Sequence, residues 1–148
     1  MRNQFINWEV PAFAVFSAER ASLSPLANIQ RARDLSDWLT SSAHDHAAVS
    51  GCYNGARESG QLVLLYDGLS GQAWQDCVML AAQYGQESIL YVDDDRQAFL
   101  FSLATSEFSS VGAWKETTQA HAESLPAYTI GPEGRYWIAV PKSAHRPC

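Results

Sequence analysis

The chain has 148 residues, and 16 Asp and Glu against 10 Lys and Arg give it a formal net charge of −6. With 47% hydrophobic and 18% charged residues, the composition excludes a disordered or fibrous chain and predicts a single domain over residues 1–148. Nucleic acid is not an expected partner, because phosphate binding depends on clustered Lys and Arg, which are few and scattered here.

The sequence also predicts how the protein relates to membranes and in which cellular compartment it lies. No apolar run approaches the roughly 20 residues that a membrane-spanning helix needs, and the polar N-terminal segment lacks the pattern of a signal peptide. The 3 cysteines include no Cys-x-x-Cys pair, which argues against a disulfide framework. We therefore expect a cytoplasmic protein without membrane contact, in which residues 1–10 and 141–148 are loosely ordered.

The first half of the chain predicts a strand, a helix and two further strands. The apolar block at residues 12–16 is typical of a buried strand. Ser24 and Pro25 predict a helix start, since serine caps helix N-termini and proline fits the first helical position. Apolar residues then recur at helical spacing. Two strands follow at residues 47–53 and 62–66, and the Asn-Gly and Ser-Gly pairs between them predict turns in a flexible loop.

The second half predicts one more helix and a series of strands. Apolar residues at helical intervals over residues 72–84 predict the helix, and Gly85 stands where a C-terminal cap glycine is expected. The strands predicted after it lie at residues 88–92, 97–101, 111–114, 128–130 and 136–140. The order of the first six elements is typical of an α+β, ferredoxin-like (split βαβ) fold, an antiparallel sheet with two helices on one face. The extra C-terminal strands are expected to extend or cover that sheet.

The common catalytic and metal signatures are missing from the sequence. It contains no phosphate-binding loop, no nucleophile elbow and no His-Glu-x-x-His zinc helix. His44, Asp45 and His46 form the one local metal-like grouping, which we interpret as a solvated loop because no second cluster accompanies it. The acids at residues 93–95 are interpreted as a hydrated hairpin tip. We therefore predict no metal site.

Three pairs of polar residues are candidates for a functional site, because each lies beside a predicted strand end or loop. The pairs are Ser17 with Arg20, Asn28 with Arg31, and Tyr53 with Glu58. The first follows the opening strand, the second lies on one face of the first helix, and the third could bring a phenol and a carboxylate together. Each pair also has an ordinary explanation, as loop ordering, a surface hydrogen bond or a hydrated loop.

An ordered set of short motifs resembles the phage-encoded enzymes that degrade S-adenosylmethionine, long called hydrolases and better described as lyases. The motifs are Phe-Ser-Ala-Glu-Arg at residues 16–20 with Leu23, Asn28, Arg31 and Arg33, then Gly-Cys-Tyr at residues 51–53, Gln86 before a strand, and residues 128–130 with Gly134, Arg135 and Trp137. The resemblance spans nearly the whole chain. One difference is a shorter loop after Tyr53, where the related enzymes carry adjacent acids and this chain offers only Glu58.

The resemblance implies a lyase that cleaves S-adenosylmethionine to 5′-methylthioadenosine and L-homoserine lactone without metal or cofactor. It implies Tyr53 and Glu58 as catalytic residues. The substrate-binding residues that it implies are Ser17, Arg20, Asn28, Arg31 and Gln86. It also implies a homotrimer with the site between subunits, and by analogy residues 62–65 and neighbouring open strand edges would form the subunit contact. The implied role is phage anti-restriction in the host cytoplasm.

Two alternatives remain open from the sequence. One is a hydrolase on the same substrate, in which Glu58 activates water and homoserine forms directly. The other is a non-catalytic ferredoxin-like module that binds an adenosyl ligand or a host protein, for which the acidic surface suits a basic partner. Substrate consumption separates the enzymes from the binding module, and labelled water separates lyase from hydrolase.

Overall fold

The computed structural model describes residues 11–53 and 56–141. The strands are β1 (Ala12–Ser17), β2 (His46–Tyr53), β3 (Ala56–Leu65), β4 (Ser88–Val92), β5 (Gln97–Ser102), β6 (Phe108–Thr117), β7 (Ala127–Ile130) and β8 (Tyr136–Val140). The helices are α1 (Pro25–Ser41), α2 (Gln72–Gln83) and α3 (Gln119–Glu123). The predictions for residues 1–10 and 142–148 lie outside the described residues.

The strands form a closed antiparallel barrel in the order β1-β3-β2-β7-β8-β6-β5-β4, and β4 pairs back onto β1. The predicted ferredoxin-like sheet with two helices on one face is therefore wrong. The C-terminal strands do not extend an open sheet, because β7 pairs with β2 at one side while β6 pairs with β5 at the other, and β8 joins them. Closure removes the free edges that an open sheet would leave.

Side chains alternate between two cores. On β1, Ala14 and Phe16 face the helices, where they pack with α1 and α2 residues such as Leu39 and Leu80. Phe13, in the other phase of the alternation, belongs to the barrel interior. That interior also holds Leu62, Leu64, Trp114 and Trp137, and the two indoles stack with ring centroids 6.3 Å apart. Both faces of the β1 wall are thus buried, which explains its nearly continuous apolar sequence.

The bend in β6 is built from a glycine. The register of the β5–β6 pair shifts between Ala98 and Phe99, and Gly112 at the shift has φ 116°. A Cβ on Gly112 would lie 2.0 Å from the carbonyl oxygen of Val140. Bulges and glycines of this kind bend a strand and help a sheet to close.

Helices α1 and α2 begin where they were predicted to begin, whereas α3 was not predicted, and β3 and β6 are longer than predicted. The Ser24 hydroxyl accepts a hydrogen bond from the N–H of Ala27 at 3.1 Å and so caps α1. The Ser-Gly turn predicted at residues 59–60 is wrong, because both residues lie within β3. Gly60 serves close packing instead, since a Cβ there would lie 2.8 Å from the Phe16 carbonyl oxygen.

The predicted subunit contact at residues 62–65 is also wrong. These residues lie in β3, which is paired on both sides by β1 and β2, and their side chains are buried. They are therefore unavailable to another chain, and the open edges invoked for them do not exist in the barrel. Among the described helices, none is long and apolar enough to cross a membrane.

Candidate active site

The end of β1 and the loop after it form hydrogen bonds with the backbone of Ser59, the residue that follows Glu58. The buried Ser17 hydroxyl donates to the Ser59 carbonyl oxygen at 2.6 Å, and the Ser59 N–H donates to the Glu19 carboxylate at 3.2 Å. The backbone pairing of β1 with β3 ends at Ser17 and Gly60. The side chains of Ser17 and Glu19 extend the contact between the two strands by one residue, to Ser59. The backbone at Glu58 is thereby held in place relative to β1.

Glu58 and Tyr53 lie on the same face of the β2–β3 hairpin. Glu58 is paired with Gly51, and Tyr53 is paired with Ala56. Because strand side chains alternate, both point to the side that continues the barrel interior, and diagonal neighbours of this kind are about 7–8 Å apart. Within residues 11–53 and 56–141, and apart from the chain neighbours of Gly51, no atom lies within 4 Å of the Cβ position at Gly51, so open space adjoins Glu58 there. We call the set Ser17, Tyr53 and Glu58 the barrel rim.

The electrostatics of the barrel rim favour a cation. Partial burial raises the pKa of Glu58, the negative charge of Glu19 raises it further, and the nearby Ser17 hydroxyl acts in the opposite direction. The charges of Glu19 and Glu58 repel each other, so that a positively charged ligand beside Glu58 relieves an existing cost. An ammonium or a sulfonium group fits this requirement.

Arg31 joins the β1–α1 loop to the end of α2. Its Nε donates to the Ala18 carbonyl oxygen at 2.6 Å, and its Nη2 donates to the Tyr84 carbonyl oxygen at 2.5 Å. The guanidinium also lies over the Tyr84 ring, 5.1 Å from the ring centroid. All of these contacts are with the protein, which gives Arg31 a structural role in holding the loop.

Arg20, Asn28 and Gln86 complete this network. The Asn28 side chain forms two hydrogen bonds with the Arg20 backbone, at 2.9 Å to its N–H and 3.0 Å to its carbonyl oxygen. Arg20 Nη1 donates to the Gly85 carbonyl oxygen at 2.6 Å, and Gln86 Nε2 donates to the Glu19 carbonyl oxygen at 2.9 Å. The predicted site residues thus fall into two sets, the barrel rim and a neighbouring network that supports the loop carrying Glu19.

A cleft of about 470 Å³ lies between α1 and the helix-facing side of the β2–β3 hairpin, the face opposite to that of Tyr53 and Glu58. Its lining residues are Ala18, Glu19, Ile29, Ala32, Arg33, Leu35, Ser36, Ala48, Val49, Ser50, Ser59, Gly60 and Gln61. Glu19 therefore lines the cleft while its charge acts on Glu58. Glu19 is thus the residue that relates the cleft on one face of the sheet to Glu58 on the other.

Two residues of this region were missed by the sequence analysis. Glu19 appeared only as one letter of a motif, and the one signal for it was an acid placed just after the end of β1. Gln61 gave no signal, because it stands among the apolar residues of β3 and its burial is visible only in the folded chain.

The two histidines at residues 44–46 make hydrogen bonds within the protein. His44 Nε2 lies 2.7 Å from a carboxylate oxygen of Asp76, while His46 contacts Gln61 and Thr40. Within the described ranges, the acids at residues 93–95 are the one grouping with three ligand atoms within 4.8 Å of each other. There the Asp93 carboxylate accepts from two backbone N–H groups of its own hairpin, both at 2.9 Å, which accounts for its position.

The volume of the cleft is typical of sites that bind small molecules, as in ligand-binding proteins and enzymes. Residues 14–140 match the model of the S-Adenosylmethionine lyase family. Because the match covers most of the chain, the protein belongs to the S-adenosylmethionine lyase family, as the motif resemblance predicted. It is an enzyme, a lyase that acts on S-adenosylmethionine. No curated protein sequence matches the chain.

Proposed function

We propose that the protein cleaves S-adenosylmethionine to 5′-methylthioadenosine and L-homoserine lactone at the barrel rim. The observation that carries this proposal is the Glu19 carboxylate, bound to the N–H of Ser59 and acting by its charge on the neighbouring Glu58, beside the space at Gly51. A site of this kind suits a substrate with an ammonium and a sulfonium group. One domain over residues 1–148 is proposed to carry the activity.

The reaction needs no external nucleophile. The substrate carboxylate attacks its own γ-carbon, an oxygen–carbon bond forms, and the carbon–sulfur bond breaks with its electron pair passing to sulfur. The products are a five-membered lactone and a neutral thioether, and no proton is transferred. Because carboxylate and sulfonium charges cancel along this path, a site drier than water favours the reaction. Holding the tail folded contributes further, since effective molarities for aligned internal attack reach about 10⁵ M or more.

The residues of the barrel rim are given separate roles. Glu58 holds the substrate ammonium, Tyr53 orients Glu58 or the substrate tail, and Ser17 shapes the tail site. Arg20, Asn28, Arg31 and Gln86 contribute to substrate binding indirectly, because their hydrogen bonds are made to the loop that carries Glu19. No step is assigned to a metal or a cofactor.

Hydrolysis is the second candidate, and the raised pKa of Glu58 favours it to some extent, since a general base works best with a pKa nearer neutrality. In that reaction Glu58 would accept a proton from water, and homoserine would form directly. Incubation with S-adenosylmethionine in heavy-oxygen water, followed by mass spectrometry, decides between the two. Unlabelled lactone as the first product supports internal attack, whereas labelled homoserine without a lactone intermediate supports hydrolysis. An intact substrate would refute both.

We further propose that the active assembly is a homotrimer with its sites between subunits. This proposal is supported by exposed apolar side chains near the site, since Leu26 is 79% exposed, Ile29 is 50% exposed and Tyr53 is 61% exposed. Sedimentation velocity of the purified protein tests it, and a monomer at working concentrations would contradict it. The proposed biological role is phage anti-restriction in the host cytoplasm, because loss of S-adenosylmethionine would starve methyltransferases and the restriction systems that need it.

A further inference from the structure

Three residues form a row across the barrel wall, beginning at the barrel rim. Gly51 on β2 is paired with Glu58 on β3 and, on its other side, with Thr129 on β7. Directly paired residues point to the same face of a sheet, so the side chains of Glu58 and Thr129 stand on either side of a residue that has none. Two strand spacings put their Cα atoms about 10 Å apart, with the space above Gly51 between them.

Thr129 faces the barrel interior. It is paired with Trp137 on β8, whose indole belongs to the interior core. Val49, in the same phase of β2 as Gly51, lies in that core as well. Thr129 is only 9% exposed. The barrel wall thus places a hydroxyl, rather than an apolar group, at the end of the row opposite the Glu58 carboxylate.

The Thr129 hydroxyl has no hydrogen-bond partner within residues 11–53 and 56–141. Buried polar groups without a partner are uncommon, because they lose the hydrogen bonds that water supplies to an exposed group. Valine has nearly the same shape as threonine and also favours strands, so packing and strand propensity do not account for a threonine here. A ligand group that enters the space above Gly51 would supply the missing partner.

We infer that Thr129 is a further substrate-binding residue, whose hydroxyl donates a hydrogen bond to the substrate carboxylate while Glu58 holds the ammonium. The inference rests on the proposed reaction at the barrel rim. An α-amino acid carries both groups on one carbon, so a tail whose ammonium contacts Glu58 presents its carboxylate close by. The row offers a partner for each group, and the missing side chain at Gly51 leaves room for the tail between them.

A hydroxyl suits a carboxylate that has to act as a nucleophile. One carboxylate oxygen attacks the γ-carbon, and a single hydrogen bond to the other oxygen fixes the rotation of the group without removing its charge. An arginine at this place would bind both oxygens and lower their reactivity. Arg135, whose guanidinium lies over the Trp137 ring, already donates two hydrogen bonds to the Glu116 carboxylate. Thr129 therefore orients the tail for ring closure, and its own proton stays on the hydroxyl.

The test measures binding of S-adenosylhomocysteine and of its decarboxylated analogue, which differ only in the carboxylate. Neither has the sulfonium leaving group of the proposed reaction, so both are binding probes. In calorimetric titrations, Thr129→Val should weaken binding of S-adenosylhomocysteine about tenfold, the loss expected for one hydrogen bond. It should leave the affinity for the decarboxylated analogue unchanged. Thr129→Ser keeps the hydroxyl and should restore most of the lost affinity.

Two further variants complete the experiment. Thr117→Val makes the same change at a half-buried position of β6, paired with Tyr136 on the outer face of the barrel, and is the matched control with both affinities unchanged. Gly51→Val covers the case in which Thr129→Val disturbs folding. Because its Cβ position is open, this variant should fill the space in the row and weaken binding of both probes, while thermal unfolding stays close to that of the wild type.

The outcomes separate the role of Thr129 from the proposed reaction. A loss confined to S-adenosylhomocysteine in Thr129→Val supports the role. Wild-type affinity in folded Thr129→Val, an equal loss for both probes, or no binding of S-adenosylhomocysteine by the wild type overturns it. Wild-type binding of both probes by folded Gly51→Val also overturns it, because the tail would then lie elsewhere. Intact S-adenosylmethionine after incubation with the wild type refutes the reaction, whatever the two probes show.

Discussion

Glu19 and Glu58 meet across the backbone of Ser59: the Glu19 carboxylate accepts from the Ser59 N–H at 3.2 Å, and its charge raises the pKa of Glu58. Glu19 thus holds the backbone next to Glu58 and also raises the pKa of the Glu58 carboxyl. Glu19 also lines the cleft on the helix-facing side of the sheet.

The pH dependence of activity should follow the Glu58 carboxylate. Binding of an ammonium group requires ionised Glu58, and its pKa is raised above the ordinary value of 4.5, so activity should fall at a higher pH than an ordinary glutamate would dictate. Glu19→Gln keeps an oxygen for the Ser59 N–H and removes the charge, which should move this acid limb to lower pH. The measurement is kcat/KM against pH, and an unmoved limb in Glu19→Gln would contradict the coupling.

Glu58→Gln should lose turnover and gain a little stability. A carboxyl whose pKa is raised by folding stabilises the fold when protonated, and that contribution is lost as the pH rises through the raised pKa. At about pH 7 the variant should therefore melt slightly above the wild type, and below the ordinary value of 4.5 the difference should vanish. Thermal unfolding at both pH values tests this. A variant less stable at neutral pH would show that Glu58 supports the fold.

Tyr53→Phe should reduce turnover without affecting the fold. The residue is 61% exposed, so removal of its hydroxyl leaves no buried group unsatisfied. If the hydroxyl bonds a charged group in the reaction, kcat/KM should fall about 10- to 100-fold, since such bonds contribute about 1.5–3 kcal/mol. Steady-state kinetics and thermal unfolding are measured together, with Tyr66→Phe as a second exposed-tyrosine variant. Unchanged kinetics in Tyr53→Phe would remove Tyr53 from the mechanism.

Arg31→Leu separates loop support from direct substrate contact. Loss of the hydrogen bonds to the Ala18 and Tyr84 carbonyl oxygens should lower the free energy of unfolding by about 2 kcal/mol. Arg31→Lys retains the charge but cannot form both hydrogen bonds from one planar group, so it should lose less stability than Arg31→Leu but remain less stable than the wild type. Urea unfolding measures the effect. A variant of wild-type stability with a raised KM would show that Arg31 contacts substrate instead.

Two glycine substitutions test the barrel geometry. Gly112→Ala should destabilise the protein by about 3 kcal/mol, because φ is 116° and the new Cβ would lie 2.0 Å from the Val140 carbonyl oxygen. Gly51→Ala is the control, since nothing lies within 4 Å of its Cβ position, and a change within about 0.5 kcal/mol is expected. Equal melting temperatures for the two variants would contradict the bend assigned to β6.

Local structure was readable from the sequence where its causes are local. Ser24 and Pro25 marked the start of α1, and the apolar spacing over residues 72–84 marked α2, because caps and helical periodicity involve neighbours a few residues apart. The ordered motifs also identified the family. The roles of Ser17, Tyr53 and Glu58 were suggested by those motifs and stay predictions.

Closure of the barrel was decided only in the tertiary structure. The apolar run at residues 136–140 predicts a strand, but it contains no information on which strands will pair with it. Strand β8 joins β6 to β7 through contacts between distant parts of the chain. Glu19 and Gln61 escaped notice for the same reason. Their importance comes from Ser59 and His46, partners that only folding brings within hydrogen-bond distance.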